Sequence, residues 1–199
     1  MMRLLSVLVF LFCMGLSAQT FALVEFSVGY HGLATNSSGG IWTIPGATMS
    51  GAYGLNAELR FELPLTGLGL GLRYGKLGVD LGSSGQTVTM NNDATAALIA
   101  YRFINTGFLL GLVGTFSLTN SGTLKNSLSS AGSNSITAGS ISHYTAGLEL
   151  GIKLPILLAV EAGYGNLTMS GFGSQTLSGT ATNVNISGPY VRAGAGFSF

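Results

Sequence analysis

The chain has 199 residues, of which 8% are charged and 31 are glycine, with a formal net charge of +1. Ordinary soluble domains carry roughly a quarter charged residues, so this is not the composition of a water-covered globule. The balanced charge and the lack of a basic aromatic patch exclude nucleic acid as a partner class.

Residues 1–22, MMRLLSVLVFLFCMGLSAQTFA, read as a secretory signal peptide. Arg3 supplies the positive start, and Leu4 to Leu16 form an apolar core too short to span a membrane as a helix. Cleavage is expected after Ala22, with Ala18 the alternative. Cys13 is the single cysteine and lies inside that core, so the mature chain has no thiol chemistry.

From residue 23 onward the chain breaks into eight period-two runs: 23–33, 53–63, 67–77, 94–103, 107–118, 142–154, 157–167 and 186–199. Each is about the length a tilted membrane-spanning strand needs, roughly 9–11 residues. One face of each run is apolar. The second run gives Tyr53, Leu55, Ala57, Leu59, Phe61 and Leu63, and the third gives Leu68, Leu70, Leu72 and Tyr74. The opposite faces hold glycine and charge. Ten charged residues fall there: Glu25, Glu58, Arg60, Glu62, Arg73, Arg102, Glu149, Lys153, Glu161 and Arg192. Lys76, Asp80, Asp93 and Lys125 are assigned to strand ends or loops, so no charge sits mid-strand on the apolar face.

Soluble sandwiches also alternate, so the connections and the aromatics must decide. Runs 2–3, 4–5 and 6–7 are joined by short turns around Pro64, Asn105 and Pro155. The other connections are expected to be long loops rich in Ser, Thr, Asn and Gly. Short turns on one side and long loops on the other are the pattern of an outer-membrane barrel. With the chain starting on the periplasmic side, Tyr30, Tyr53, Tyr74, Phe116, Tyr144 and Tyr164 come at the external ends of the apolar face. Phe61, Tyr101, Phe103, Phe108, Phe197 and Phe199 come at the periplasmic ends. Two aromatic girdles with aliphatic residues between them are what two membrane interfaces favour.

The last segment, PYVRAGAGFSF, ends on Phe199, with Phe197, Ala195, Ala193 and Val191 at alternate positions before it. In this the chain resembles the small bacterial outer-membrane barrels of the OmpA transmembrane-domain, OmpX and opacity-protein type. The resemblance implies an all-β, eight-stranded, antiparallel up-and-down barrel over residues 23–199. It implies a terminal Phe signal, Phe197 and Phe199, read by the barrel-assembly machinery, with outer-membrane lipid and lipopolysaccharide as the surroundings. A monomer without cofactor or metal is expected.

An eight-stranded barrel is just wide enough for its own side chains to fill. Five inward acids and five inward bases are therefore expected to pair into an ionic plug, with inward glycines leaving room for the long chains. Arg192 is expected beside Glu161, with Glu25 joining across the closure, and Arg73 beside Glu58. A narrow passive channel is the alternative. An enzyme is the third reading. SHYTAGLEL places His143, Thr145 and Glu149 on one inward face, faintly similar to the His-x-Ser pair of the lipid A deacylases. Thr145 stands at the nucleophile position, where a threonine hydroxyl is a poor candidate. His31 and His143 offer two metal ligands without a third. GLGLGLRY is a glycine-bearing strand and not a phosphate loop. The long, nearly uncharged loops suit adhesion, antigenic display or contact with an external ligand, or serve only as solvated connectors. Ile41, Trp42 and Ile44 in the first are expected to anchor at the external lipid interface or to fold over the mouth. The leading expectation is a structural or surface-interaction role, adhesin-like or antigen-like, and no enzyme activity.

Overall fold

A computed structural model describes residues 24–34, 52–63, 66–83, 86–128, 132–171 and 183–199. The expected signal segment, the stretch with Ile41, Trp42 and Ile44 expected as the first long loop, and most of the last expected loop lie outside the described residues. Nine β-segments follow one another: β1 (Val24–Leu33), β2 (Ala52–Glu62), β3 (Leu68–Ser83), β4 (Gln86–Asn105), β5 (Phe108–Leu128), β6 (Gly132–Thr137), β7 (Ser140–Lys153), β8 (Leu157–Ser170) and β9 (Asn183–Ser198). β6 and β7 are two parts of one barrel strand. Both pair with β5, β6 at its far end and β7 along Phe108–Phe116. The bond from Ala138 N to Gly122 O, 3.0 Å, carries the ladder across the break.

Each strand pairs antiparallel with its neighbour in sequence, and β9 returns to pair with β1. Eight strands thus close into a barrel. At the seam Phe199 N donates to Val24 O at 2.9 Å. Closure removes the free edges that an apolar last strand would otherwise expose.

The turns have local causes. Gly67 has φ +70, a left-handed conformation that glycine adopts without strain. Thr66 Oγ1 donates to Leu63 O at 2.9 Å and accepts from Leu68 N at 3.1 Å, holding the β2–β3 turn. These short turns lie at one end of the barrel, here called the turn end; the opposite end is the loop end.

The strands are longer than the alternation predicts. The third run ends at 77 in the sequence but β3 continues to Ser83, and β4 begins at Gln86 instead of 94. β5 runs to Leu128, and β6 occupies part of the stretch expected to be loop. Two of the four expected long connections are therefore drawn out as strand. The reason is physical. Beyond Lys76 the alternation of β3 inverts, with Leu77, Val79 and Leu81 on the parity that holds charge and glycine lower down, and the far end of β5 is polar at most positions. The apolar-out rule marks neither, yet the backbone ladder needs no such rule. Two bulges reset the alternation. At Arg102–Ile104 both Phe103 and Ile104 are turned outward, and opposite Thr95–Ala96 the extra residue Leu118 leaves Leu118 and Thr119 both exposed.

The outside is a hydrocarbon surface. Leu55, Leu59, Leu70, Leu72, Ile99, Leu112, Leu148, Leu150, Leu158, Val160 and Val191 are all exposed. Tyr30, Tyr53, Tyr74, Phe116, Tyr144 and Tyr164 are exposed on the same face towards the loop end, and Phe116 stands directly opposite Tyr144. Phe61, Tyr101, Phe103, Phe108, Phe197 and Phe199 are exposed towards the turn end. Lys76 and Asp93 lie within β3 and β4, one step beyond Tyr74 towards the loop end. They face outward and meet each other at 3.7 Å. The outer face thus changes from apolar to polar just beyond the tyrosines.

Candidate functional site

Alternation along each strand delivers all ten charged residues named from the sequence to the interior. Cross-strand register then sets who meets whom. Glu58 stands opposite Arg73, Glu161 opposite Arg192, and Glu25 opposite Arg60. Glu58 binds Arg73 at 2.6 Å and Arg60 at 2.7 Å. Glu161 binds Arg73 at 2.6 Å and Arg192 at 2.9 Å. Nearer the turn end, Glu149 takes Arg102 at 2.8 Å and Arg60 at 3.0 Å, while Glu25 takes Arg102 and Lys153, each at 2.9 Å. Glu62 joins both Arg102 and Lys153.

Arg60 is the link. It bonds Glu58 on one side and Glu149 on the other, so the five acids and five bases form one continuous chain of contacts with no net charge. Glu25 sits apart from Arg192, and so does not join it across the closure. Its partners are Arg102 and Lys153, because Glu25 lies lower on β1, opposite Arg60. Ser27, one inward position further up, donates no charge but accepts from Arg192 Nη2 at 2.8 Å.

One register is unfavourable on its face. Glu149 and Glu161 stand directly opposite each other on β7 and β8, and like charges so placed repel. They turn to different partners. Glu149 turns down to Arg102 and Arg60, and Glu161 turns up to Arg73 and Arg192. Buried charges of this kind are tolerated only when paired and hydrogen-bonded, and the pairing here meets that condition.

Space for the guanidinium groups comes from glycines beside them on the same or the neighbouring strand. A Cβ placed on Gly194 would lie 3.1 Å from the Arg192 guanidinium carbon, and one on Gly69 would lie 3.0 Å from Arg60 Cδ. Uncharged residues complete the array. Tyr190 accepts from Arg73 Nη1 at 2.8 Å and donates to Glu161 at 3.2 Å, and Asn56 Oδ1 accepts from Arg192 Nε at 2.7 Å. Both were visible in the sequence as members of the polar face, two residues from Arg192 and from Glu58, but neither carries the charge that singled out the others.

Towards the loop end the interior changes character. Leu33, Leu77, Met90, Leu167, Met169 and Ile186 are buried there and form an apolar cap over the charged layer. Sequence reasoning did not find this cap. Met90 and Met169 fall in stretches read as loop, and Leu33, Leu77 and Leu167 sit by parity on the polar face.

The residues weighed for catalysis are differently engaged. Thr145 is buried and shares a 2.6 Å hydrogen bond with Thr115, and both carboxylate oxygens of Glu149 are held by arginines. Neither Thr145 nor Glu149 presents a reactive oxygen to the lipid side of the wall. Among the described residues no cluster of three His, Cys, Asp or Glu side chains could hold a metal ion.

No protein-family model matches the chain, nor does any curated protein sequence. Solved structures do. Ail, the attachment invasion locus protein of Yersinia pestis, superposes with a TM-score of 0.53 at 18% identity, over 88% of this chain and 97% of that one. A major outer membrane protein from Thermus thermophilus superposes with a TM-score of 0.51 at 13% identity, over 88% of this chain and 99% of that one. The fold is that of the small eight-stranded outer-membrane barrels. At these identities the likeness speaks to architecture and leaves the role to the residues.

Proposed function

We propose that the protein is an integral outer-membrane barrel whose lumen is closed by its own side chains and whose work is done at the loop end, in surface contact. The carrying observation is the continuous neutral network from Lys153 to Arg192, sealed above by the apolar cap. Such an interior has a structural task and leaves no path of free charges for ions. The apolar exterior bounded by two aromatic girdles supports residence in a bilayer, and the fold shared with outer-membrane proteins supports the outer membrane as its location. The orientation follows from the same reading, with turns and termini in the periplasm and loops outside. We read the chain as a non-enzyme, a reading supported by the engagement of Thr145 with Thr115 and of Glu149 with arginines. The test is conductance of the refolded protein in a planar bilayer. A silent barrel is expected at neutral pH. Discrete, reproducible openings in the wild-type protein would replace this reading with that of a small passive channel.

A further inference from the structure

Between the charged layer and the apolar cap lies a small cavity of about 20 Å³, with His31, Arg73, Asn92, His143, Thr145 and Tyr190 in its wall. Two of these side chains hold polar atoms without a protein partner. Both amide atoms of Asn92 are buried and unbonded, and so is His31 Nε2; the two residues are 1% and 4% exposed. Buried polar atoms are nearly always hydrogen-bonded, so three together at one cavity mark it as built for a ligand.

The neighbours fix the chemistry of that ligand. An arginine can only donate, so the bond from Arg192 Nε fixes Asn56 with its oxygen towards Arg192. The amide nitrogen of Asn56 then faces His31 Nδ1 at 2.8 Å. That nitrogen also can only donate, so Nδ1 accepts, and the neutral imidazole carries its hydrogen on Nε2. The wall therefore offers N–H donors from His31 and Asn92 and a carbonyl acceptor from Asn92. A metal ion would need the Nε2 lone pair, which this tautomer does not have. His143 in the same wall would be a lone ligand, and the carboxylates of Glu58 and Glu161 are taken by arginines, so the described residues supply no third ligand. An anion would find no surplus positive charge, because Arg73 bonds both those carboxylates and Arg192 bonds Glu161. The volume exceeds the roughly 10–15 Å³ that one water needs.

From these constraints we infer that the cavity is a binding site for a neutral, water-sized ligand that both donates and accepts, water being its resident. It links His31 on β1 to Asn92 on β4 across the lumen and joins the charged layer to the cap. The tautomer lock by Asn56 makes the site selective against divalent metal.

The test uses the refolded full-length mature barrel in micelles. Long-range proton–nitrogen correlation on ¹⁵N-histidine protein reads the tautomer from carbon-bound ring protons and is expected to show His31 protonated at Nε2. Oxygen-17 relaxation dispersion is expected to count at least one more long-lived water in the wild type than in Asn92→Leu. Millimolar zinc, and exchange of chloride for a bulkier anion, are expected to leave the His31 signals unmoved. A His31 protonated at Nδ1, or saturable zinc shifts at His31 and His143, would overturn the proposal in favour of a metal site. Chloride-dependent shifts would overturn it in favour of an anion. An equal water count in the two proteins would show a dry cavity and overturn it too. If Asn92→Leu does not fold, the tautomer and zinc arms on the wild type still decide.

Discussion

The turn-end half and the loop-end half of the same lumen are filled by opposite chemistry. One holds Arg60, Arg102 and Glu149 in a lattice of ion pairs, and the other packs Leu33, Met90 and Leu167 as hydrocarbon. Both exclude solvent. The ionic half does so through directional contacts that fail together when one partner is lost. The apolar half does so through volume, which neighbours can adjust. The difference teaches that closure of a narrow barrel and specification of its register are separable tasks. Hydrocarbon fills by volume; charges, each tied to a strand position, specify register and bar ions.

The largest expected effect comes from removing a guanidinium. Arg192→Ala leaves Glu161 and Asn56 short of a donor and should destabilise by about 3–5 kcal/mol, measured by urea unfolding in lipid vesicles. It should also raise bilayer conductance. A double-mutant cycle with Glu161→Ala should give a coupling well clear of zero; no coupling would remove the pair from the plug. Arg192→Lys should not restore stability, since one ammonium cannot reach Asn56, Ser27 and Glu161 in the same fork.

In the apolar half, Leu167→Ala should cost about 2–5 kcal/mol through the cavity it leaves, without new conductance while the charged layer stands. Conservative exchange should then separate the halves. Leu167→Met should cost less than about 1.5 kcal/mol, in contrast to the failure of Lys at 192. If both conservative changes are equally costly, the distinction between directional and volumetric filling is wrong.

The outer wall gives a control on the same scale. Leu70→Arg places a cation on the lipid face and should cost roughly 2–4 kcal/mol, read by the same unfolding. Lys76→Ala, on the same strand beyond Tyr74, should change stability by less than about 1 kcal/mol, because the pair with Asp93 is exposed. A large effect at 76 and none at 70 would move the apolar boundary.

Most of the barrel wall was legible in the sequence because lipid imposes one rule on every strand: apolar out. Leu55, Leu70 and Leu148 announce the outer face, and the charges then fall inward by parity. What was not legible is what escapes that rule. The far end of β5 is polar at most positions, and those of β3 and β4 alternate in the opposite sense, with Leu77, Val79 and Leu81 on the parity that holds charge and glycine lower down, so the apolar-out rule does not announce them. The cap was hidden for a related reason. Met90 and Met169 each follow an apolar residue two positions earlier, Val88 and Leu167, on the parity read as polar, and only the register shows that the two methionines lie on the same inner face. The partner choice of Glu25 was likewise unreadable, because it depends on how far Arg102 reaches across the lumen, not on neighbours along the wall.

The seam between β1 and β9 has a consequence for how the molecule comes into being. Arg192 arrives on the final strand, yet its contacts reach back to Ser27 and Asn56. Until the C-terminal segment docks, Arg192 is missing from Glu161, Glu58 and Asn56 alike. Contacts so distant in sequence form slowly. A nascent chain lacking its last dozen residues thus lacks both its edge partner and a counter-ion for its interior acids, and cannot settle into a stable half-built state.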